Sequence, residues 1–215
     1  MRYVVLDTET TGLDPDDGHK IIEVGCIEIL NRNVTENTFH RYINPEREID
    51  IEASKVHGLT YSNLKDKPVF REIFKDFLDY ISDSPIIIHN APFDIGFLRK
   101  EYSYFENDTK FMSNEIIDSL KLARKISPGK RNTLDALCDR YSIDNTDRTF
   151  HGALLDARLL AFVYLKMTIG QNNFDNLTSE SIMPTINHDN KLKKFRIIQA
   201  NEKEIELHEN YFKQG

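Results

Sequence analysis

The chain opens on the apolar run Val4, Val5, Leu6, and its apolar positions then recur at spacings that shift between two and about 3.6. Residues 2–6 predict a buried strand, residues 20–30 (KIIEVGCIEIL) a second, and residues 36–43 (ENTFHRYI) a third. Short polar turns separate them, so antiparallel neighbours are expected, with Gly25 a candidate bulge. Over 68–81, Val69, Phe70, Ile73, Phe74, Phe77, Leu78 and Ile81 recur at helical spacing, and Pro68 suits a first turn. The run Ile86, Ile87, Ile88 predicts a short buried parallel strand. Asn90, Ala91 and Pro92 turn the chain into a helix expected to begin near Asp94. Residues 115–117 predict a fifth strand ending at Asp118, which suits the N-cap of a helix over 119–125. Asn132 or Thr133 opens another helix through LDALCDRY, and residues 153–167 carry the last strong one. Antiparallel strands followed by alternating strands and helices imply an α/β fold: a mixed five-stranded sheet flanked by helices on both faces.

The pattern changes near residue 171. QNNFDNLTSESIMPTINHDN is polar, rich in turn formers and carries Pro184, so residues 171–190 read as a linker. Residues 191–215 hold a short apolar stretch, KFRIIQ, and a charged helix candidate, NEKEIELHENYFK. Such a segment is too short to fold alone and is expected to dock on a partner. Residues 1–170 then form the one sizeable domain.

Composition narrows the function classes. With 40% hydrophobic residues, 29% charged residues and a net charge of −7, the chain is expected to be a soluble globular protein of the cytoplasm. It has no apolar run near 18 residues and no signal-peptide pattern at Met1. Cys26 and Cys138 fall in apolar patterns without metal spacing and are expected in the core. The acidic balance argues against tight nucleic-acid binding by this chain alone, although a metal-dependent nuclease with a partner remains compatible with it.

The chemistry concentrates in three short segments. Asp7 and Glu9 in VVLDTETTG stand two apart on a strand and share a face, near the end of a strand where open sheets keep their sites. Asp94 follows in IIIHNAPFDIGFL, and His151 with Asp156 in FHGALLDARLL. Carboxylates gathered together repel and raise one another's pKa, a cost that a hard divalent cation removes. On one helix His151 and Asp156 would diverge by about 140°. They converge only if His151 precedes the helix that carries Asp156. A neutral imidazole there suits a general base.

DTETTG, HNAPFDIGFL and HGALLDA, in this order, resemble the three exonuclease motifs of the histidine-containing branch of the DEDD superfamily. The whole chain is similar to the proofreading epsilon-subunit family of bacterial DNA polymerase III, through VHGL at 56–59, ARKISPGKRNTLDALCDRYSIDN at 123–145, RTFHGALLDA at 148–157 and VYLKMTIGQ at 163–171. The resemblance implies a ribonuclease-H-like fold and 3′→5′ removal of terminal DNA nucleotides as 5′-mononucleotides. It implies that Asp7, Glu9, Asp94 and Asp156 hold two Mg²⁺ or Mn²⁺ ions, that His151 is catalytic, and that Thr8, Thr10, Val56, His57, Asn90 and Phe93 bind the terminal nucleotide. It further implies docking of the C-terminal segment on the polymerase (alpha) subunit. Sliding-clamp binding through Gln171–Phe174 stays open, because Asp175 and Asn176 replace the usual apolar residues. The basic run Lys121, Arg124, Lys125, Lys130 and Arg131 reads equally as a DNA contact or a solvated helix end. Two rivals share some of these features: a free-standing exoribonuclease of the superfamily, and a non-catalytic replisome assembly subunit.

Overall fold

The computed structural model describes residues 1–105, 113–146, 148 and 150–169. Strands β1 (Arg2–Thr10), β2 (Ile21–Leu30) and β3 (Asn33–Tyr42) form an antiparallel meander. β4 (Ile86–Ile88) and β5 (Ile116–Asp118) extend it in parallel from the other edge of β1, giving the order β3-β2-β1-β4-β5. Between and after the strands lie helices α1 (Ile51–His57), α2 (Tyr61–Leu64), α3 (Phe70–Ile81), α4 (Ala91–Ser103), α5 (Ser119–Ile126), α6 (Leu134–Tyr141) and α7 (Ala153–Met167). None of the described helices is long and apolar enough to cross a membrane.

Alternation along β1 builds two cores. Val4 and Leu6 face α3 and α4 with Phe39, Phe70, Phe77 and Phe97, while Val5 faces α6 and α7 with Ile27, Leu137, Leu160 and Val163. Cys26 lies in the first core and Cys138 in the second, both as free thiols.

The structure departs from the sequence reading at several element ends and at Gly25. β1 continues to Thr10, because its ladder with β2 runs on to the Thr10–Ile21 pair. β3 starts at Asn33, because Asn31 and Arg32 take positive φ (49° and 64°) in a two-residue hairpin turn. α4 starts at Ala91, three residues before Asp94, after Asn90 takes the left-handed conformation at φ 69°. Gly25 is no bulge: the register shifts fall at Glu9/Thr10 and Ile27/Ile29, and Gly25 pairs with Asp7 in a regular ladder. The helices α1 and α2 went unpredicted, being too short to show an apolar period.

Candidate active site

Three elements aim carboxylates at one place. Asp7 and Glu9 share the Val5 side of β1, the side covered by α7. Asp156 stands in the first turn of α7, and its position there depends on Gly25. A Cβ on Gly25 would come within 2.2–2.5 Å of the Ala153–Leu154 backbone. The missing side chain lets the start of α7 sit against β2, beside the strand position paired with Asp7. Gly25→Ala is therefore expected to push α7 off the sheet and cost roughly 1–3 kcal/mol or more, as overpacking does. Chemical denaturation should show that loss together with a larger fall in exonuclease rate.

Asp94 comes from the opposite side of β1. It lies buried in the first turn of α4, where the Thr8 hydroxyl donates to its Oδ1 at 2.7 Å. Burial raises its pKa to about 7, against the lowering effect of the Thr8 hydroxyl and nearby backbone N–H groups. Burial, Asp156, Glu23 and Asp94 together push Glu9 to about 8. Burial and the carboxylates of Asp94, Glu9 and Asp156 also hold Asp7 well above the ordinary range. At Asp156 burial raises the pKa, but the hydrogen bonds and charge of Arg148, with His151 close by, outweigh burial and lower it. Ligand atoms of Glu9, His151 and Asp156 lie within 4.8 Å of one another. Carboxylate oxygens gathered in this way, whose charges burial and mutual repulsion make costly, fit hard divalent cations.

His151 precedes α7, as its spacing from Asp156 requires. Its backbone N–H donates to the Val56 carbonyl at 3.0 Å, and its side chain is 45% exposed. The same bond ties His151 to the end of α1, where His57 is buried. Nδ1 of His57 accepts from the Leu59 N–H at 3.1 Å, so a neutral ring carries its proton on Nε2. That Nε2 has no hydrogen-bond partner among the described residues. Burial lowers the His57 pKa, and the Thr10 backbone acts against it. Val56 and Asn90 are exposed beside these buried groups, Phe93 packs on Phe97 at 5.0 Å between centroids, and the Thr10 hydroxyl donates to the Gly12 carbonyl.

Arg148 is the participant that sequence reasoning missed. Its guanidinium meets both oxygens of Asp156, at 2.6 and 2.5 Å, and donates to Asp135 at 2.5 Å. It also reaches Nδ1 of His151 at 2.9 Å. Nδ1 can accept from Arg148 or donate to Asp156 at 3.3 Å, but not both. The guanidinium can only donate and lies closer, which leaves a neutral ring's proton on Nε2. A lone arginine in a polar loop carries no periodic signal, and only its place three residues before His151 pointed to it. Arg148 lines a cleft of about 890 Å³ together with Asp7, His151, Asp156 and residues 128–135. His89 was also missed; its ring bridges the Ser119 hydroxyl and the Asn132 carbonyl on the cleft wall.

Residues 4–164 match the model of a protein family described as "Exonuclease". The chain is 49% identical to DNA polymerase III subunit epsilon of Buchnera aphidicola subsp. Schizaphis graminum, over 99% of this chain and 96% of that protein. It is 46% identical to DNA polymerase III subunit epsilon of Escherichia coli K12, over 97% of this chain and 90% of that protein. Among solved structures, Exonuclease X in complex with 5′ overhanging duplex DNA superposes with a TM-score of 0.64 at 25% identity, covering 79% of this chain and 93% of that one. The nuclease domain of 3′hExo, a DEDDh family member bound to rAMP, shares the fold with a TM-score of 0.66 at 18% identity, covering 78% of this chain and 92% of that one.

Proposed function

Because this chain belongs to the exonuclease family, among the epsilon subunits of DNA polymerase III, we propose that it trims misincorporated nucleotides from the 3′ end of nascent DNA within the bacterial replicative polymerase. It is a metal-dependent 3′→5′ exonuclease, and its products are 5′-mononucleotides. The observation that carries this reading is the convergence of Asp7, Glu9, Asp94 and Asp156 from β1, α4 and α7 beside His151.

In this reading Asp7, Glu9, Asp94 and Asp156 are the ligands, and Thr8 holds Asp94 in place through its 2.7 Å hydrogen bond. Two Mg²⁺ or Mn²⁺ ions bound there would polarise the scissile phosphodiester and stabilise the leaving 3′-oxygen. His151, fixed by its backbone bond to Val56, takes the proton of the attacking water. The terminal nucleotide lies toward α1 and the start of α4. There His57 offers an Nε2–H with no hydrogen-bond partner among the described residues, Val56 and Phe93 offer apolar surface, and Asn90 projects at an exposed left-handed turn. Thr8 and Thr10 belong to this pocket through the strand they share with Glu9, their hydroxyls holding Asp94 and the Gly12 turn.

The chain works in the cytoplasm, with the polymerase supplying the duplex-binding surface that an acidic protein lacks. Linker 171–190, docking segment 191–215 and the clamp peptide Gln171–Phe174 lie outside the described residues. Their assigned roles are tethering, binding of the polymerase subunit and contact with the sliding clamp.

The test is Mg²⁺-dependent digestion of a labelled primer with a paired or mismatched 3′ terminus. Faster release of 5′-mononucleotide from the mismatched end is expected. A chain ending at residue 170 should still digest single strands but fail to co-purify with the polymerase subunit. No cleavage with either Mg²⁺ or Mn²⁺ would refute the catalytic assignment, and co-purification of the shortened chain would refute the docking assignment.

A further inference from the structure

The cleft lined by Arg148 carries a second binding element. Of the five cations in the basic run, the structure separates two from the other three. Lys121 pairs with Asp118 at 3.9 Å, and Lys125 is not on the cleft lining. Arg124, Lys130 and Arg131 all line it, and none of the three has an ion-pair partner among the described residues.

Their backbone is held in place rather than loose. The Asn132 side-chain amide donates to the Lys130 carbonyl at 2.9 Å and to the Ser127 carbonyl at 3.4 Å, and its oxygen accepts from Arg140 at 2.9 Å. Arg140 also donates to the Arg131 carbonyl at 2.5 Å, and His89 meets the Asn132 carbonyl at 2.9 Å. Gly129 makes the tight turn between them at φ 74°. Three like charges thus line one cleft from a held backbone, and the acid of that segment, Asp135, is already paired with Arg148.

Asp7, Asp156 and His151 line the same cleft, while Leu120, Pro128 and Leu134 supply apolar lining. The terminal nucleotide, placed toward Val56 and His57, leaves the rest of the strand to exit on another side. We propose that this cleft is the track for the single strand 5′ to the scissile bond, with Arg124, Lys130 and Arg131 on successive phosphates and the apolar lining under its sugars and bases. The inference rests on reading Asp7, Asp156 and His151 as the hydrolytic centre. It assigns the intake of unpaired strand to this chain, although the chain as a whole is acidic.

The experiment compares the full chain with the triple variant Arg124→Gln, Lys130→Gln, Arg131→Gln. Fluorescence anisotropy in EDTA would follow 5′-labelled thymidine octanucleotide and dinucleotide over a range of salt concentrations. The triple variant should bind the octanucleotide roughly 10- to 100-fold more weakly, and the slope of log K against log salt should flatten by about 2, since each phosphate contact on a single strand contributes about 0.7. Dinucleotide affinity and Mg²⁺-dependent hydrolysis of the p-nitrophenyl ester of thymidine 5′-phosphate should stay within about twofold, because both report the centre rather than the track. The charge-preserving set Arg124→Lys, Lys130→Arg, Arg131→Lys should restore octanucleotide binding. Unchanged octanucleotide affinity and salt slope in the triple variant would overturn the proposal, as would an equal loss for the dinucleotide. Wild-type chain that hydrolyses neither ester nor primer would overturn the underlying reading of the centre, a result distinct from failure of the track.

Discussion

Asp7→Asn is expected to abolish metal-dependent exonuclease activity while making the metal-free protein more stable. The loss of activity follows from the ligand role: polarising a phosphodiester is worth several kcal/mol, so the rate should fall by roughly three orders of magnitude or more. The gain in stability follows from the electrostatics. Burial and neighbouring carboxylates hold the pKa of Asp7 above its ordinary range, with Glu9 at about 8 and Asp94 at about 7. Once the pH exceeds about 4, an unfolded chain releases these protons and the folded one retains them. Stability of the metal-free protein therefore falls as pH rises from about 4 to about 8. Asparagine removes one of these proton-retaining groups, and with it that group's share of the loss, and keeps the side-chain volume. Scanning fluorimetry in EDTA at pH 7.5 should show a melting temperature higher by roughly 3–10 °C in the variant, at about 2–4 °C per kcal/mol for a domain of this size. The gap should narrow at pH 5, where the wild-type carboxylates hold more of their protons. Mn²⁺ should stabilise wild type through ligand linkage and leave the variant nearly unmoved. A lower melting temperature for the variant in EDTA would mean that Asp7 is a structural residue rather than one held for a cation.

Most of the candidate site was legible before its geometry, because its carboxylates sit at places with a strong local pattern. Asp7 and Glu9 continue an apolar strand run, and α7 begins at the predicted Ala153 behind a histidine that had to precede it. Asp118 and Thr133 cap α5 and α6 through their side chains, as their types and positions indicated. What stayed hidden depends on contacts between segments far apart in sequence. Gly25 looks like a bulge glycine along the chain, and only the arrival of the α7 backbone explains it. The guanidinium of Arg148 gains its place from Asp135 and Asp156, and no periodicity records that meeting. The basic run likewise divides only when the fold turns Arg124, Lys130 and Arg131 into one cleft and leaves Lys121 with Asp118. Local sequence thus fixes which residue types stand at the element ends, while close approach and charge pairing across the sheet decide what they do.

His151→Ala should lower kcat on a mismatched primer by roughly 10²- to 10⁴-fold, the span of general acid–base catalysis, and change KM by less than about threefold. The split follows from position. His151 holds Val56 through its backbone N–H at 3.0 Å, a bond that alanine keeps, so the nucleotide pocket should survive the loss of the ring. Asp156 keeps its place in the first turn of α7 and both of its bonds to Arg148. What disappears is the imidazole, whose Nδ1 is engaged by Arg148 at 2.9 Å. A ring held that way carries its proton on Nε2 and has no lone pair free, so His151 serves as a base only after Arg148 releases Nδ1. Added imidazole should then restore part of the rate in His151→Ala, because the free base needs no release. It should do nothing for Asp7→Asn, where the ligand set itself is broken. A raised KM with kcat preserved would instead assign His151 to substrate binding. Loss of Mn²⁺ affinity in parallel with kcat would make the imidazole a ligand, the alternative that its place within 4.8 Å of the Glu9 and Asp156 ligand atoms also allows.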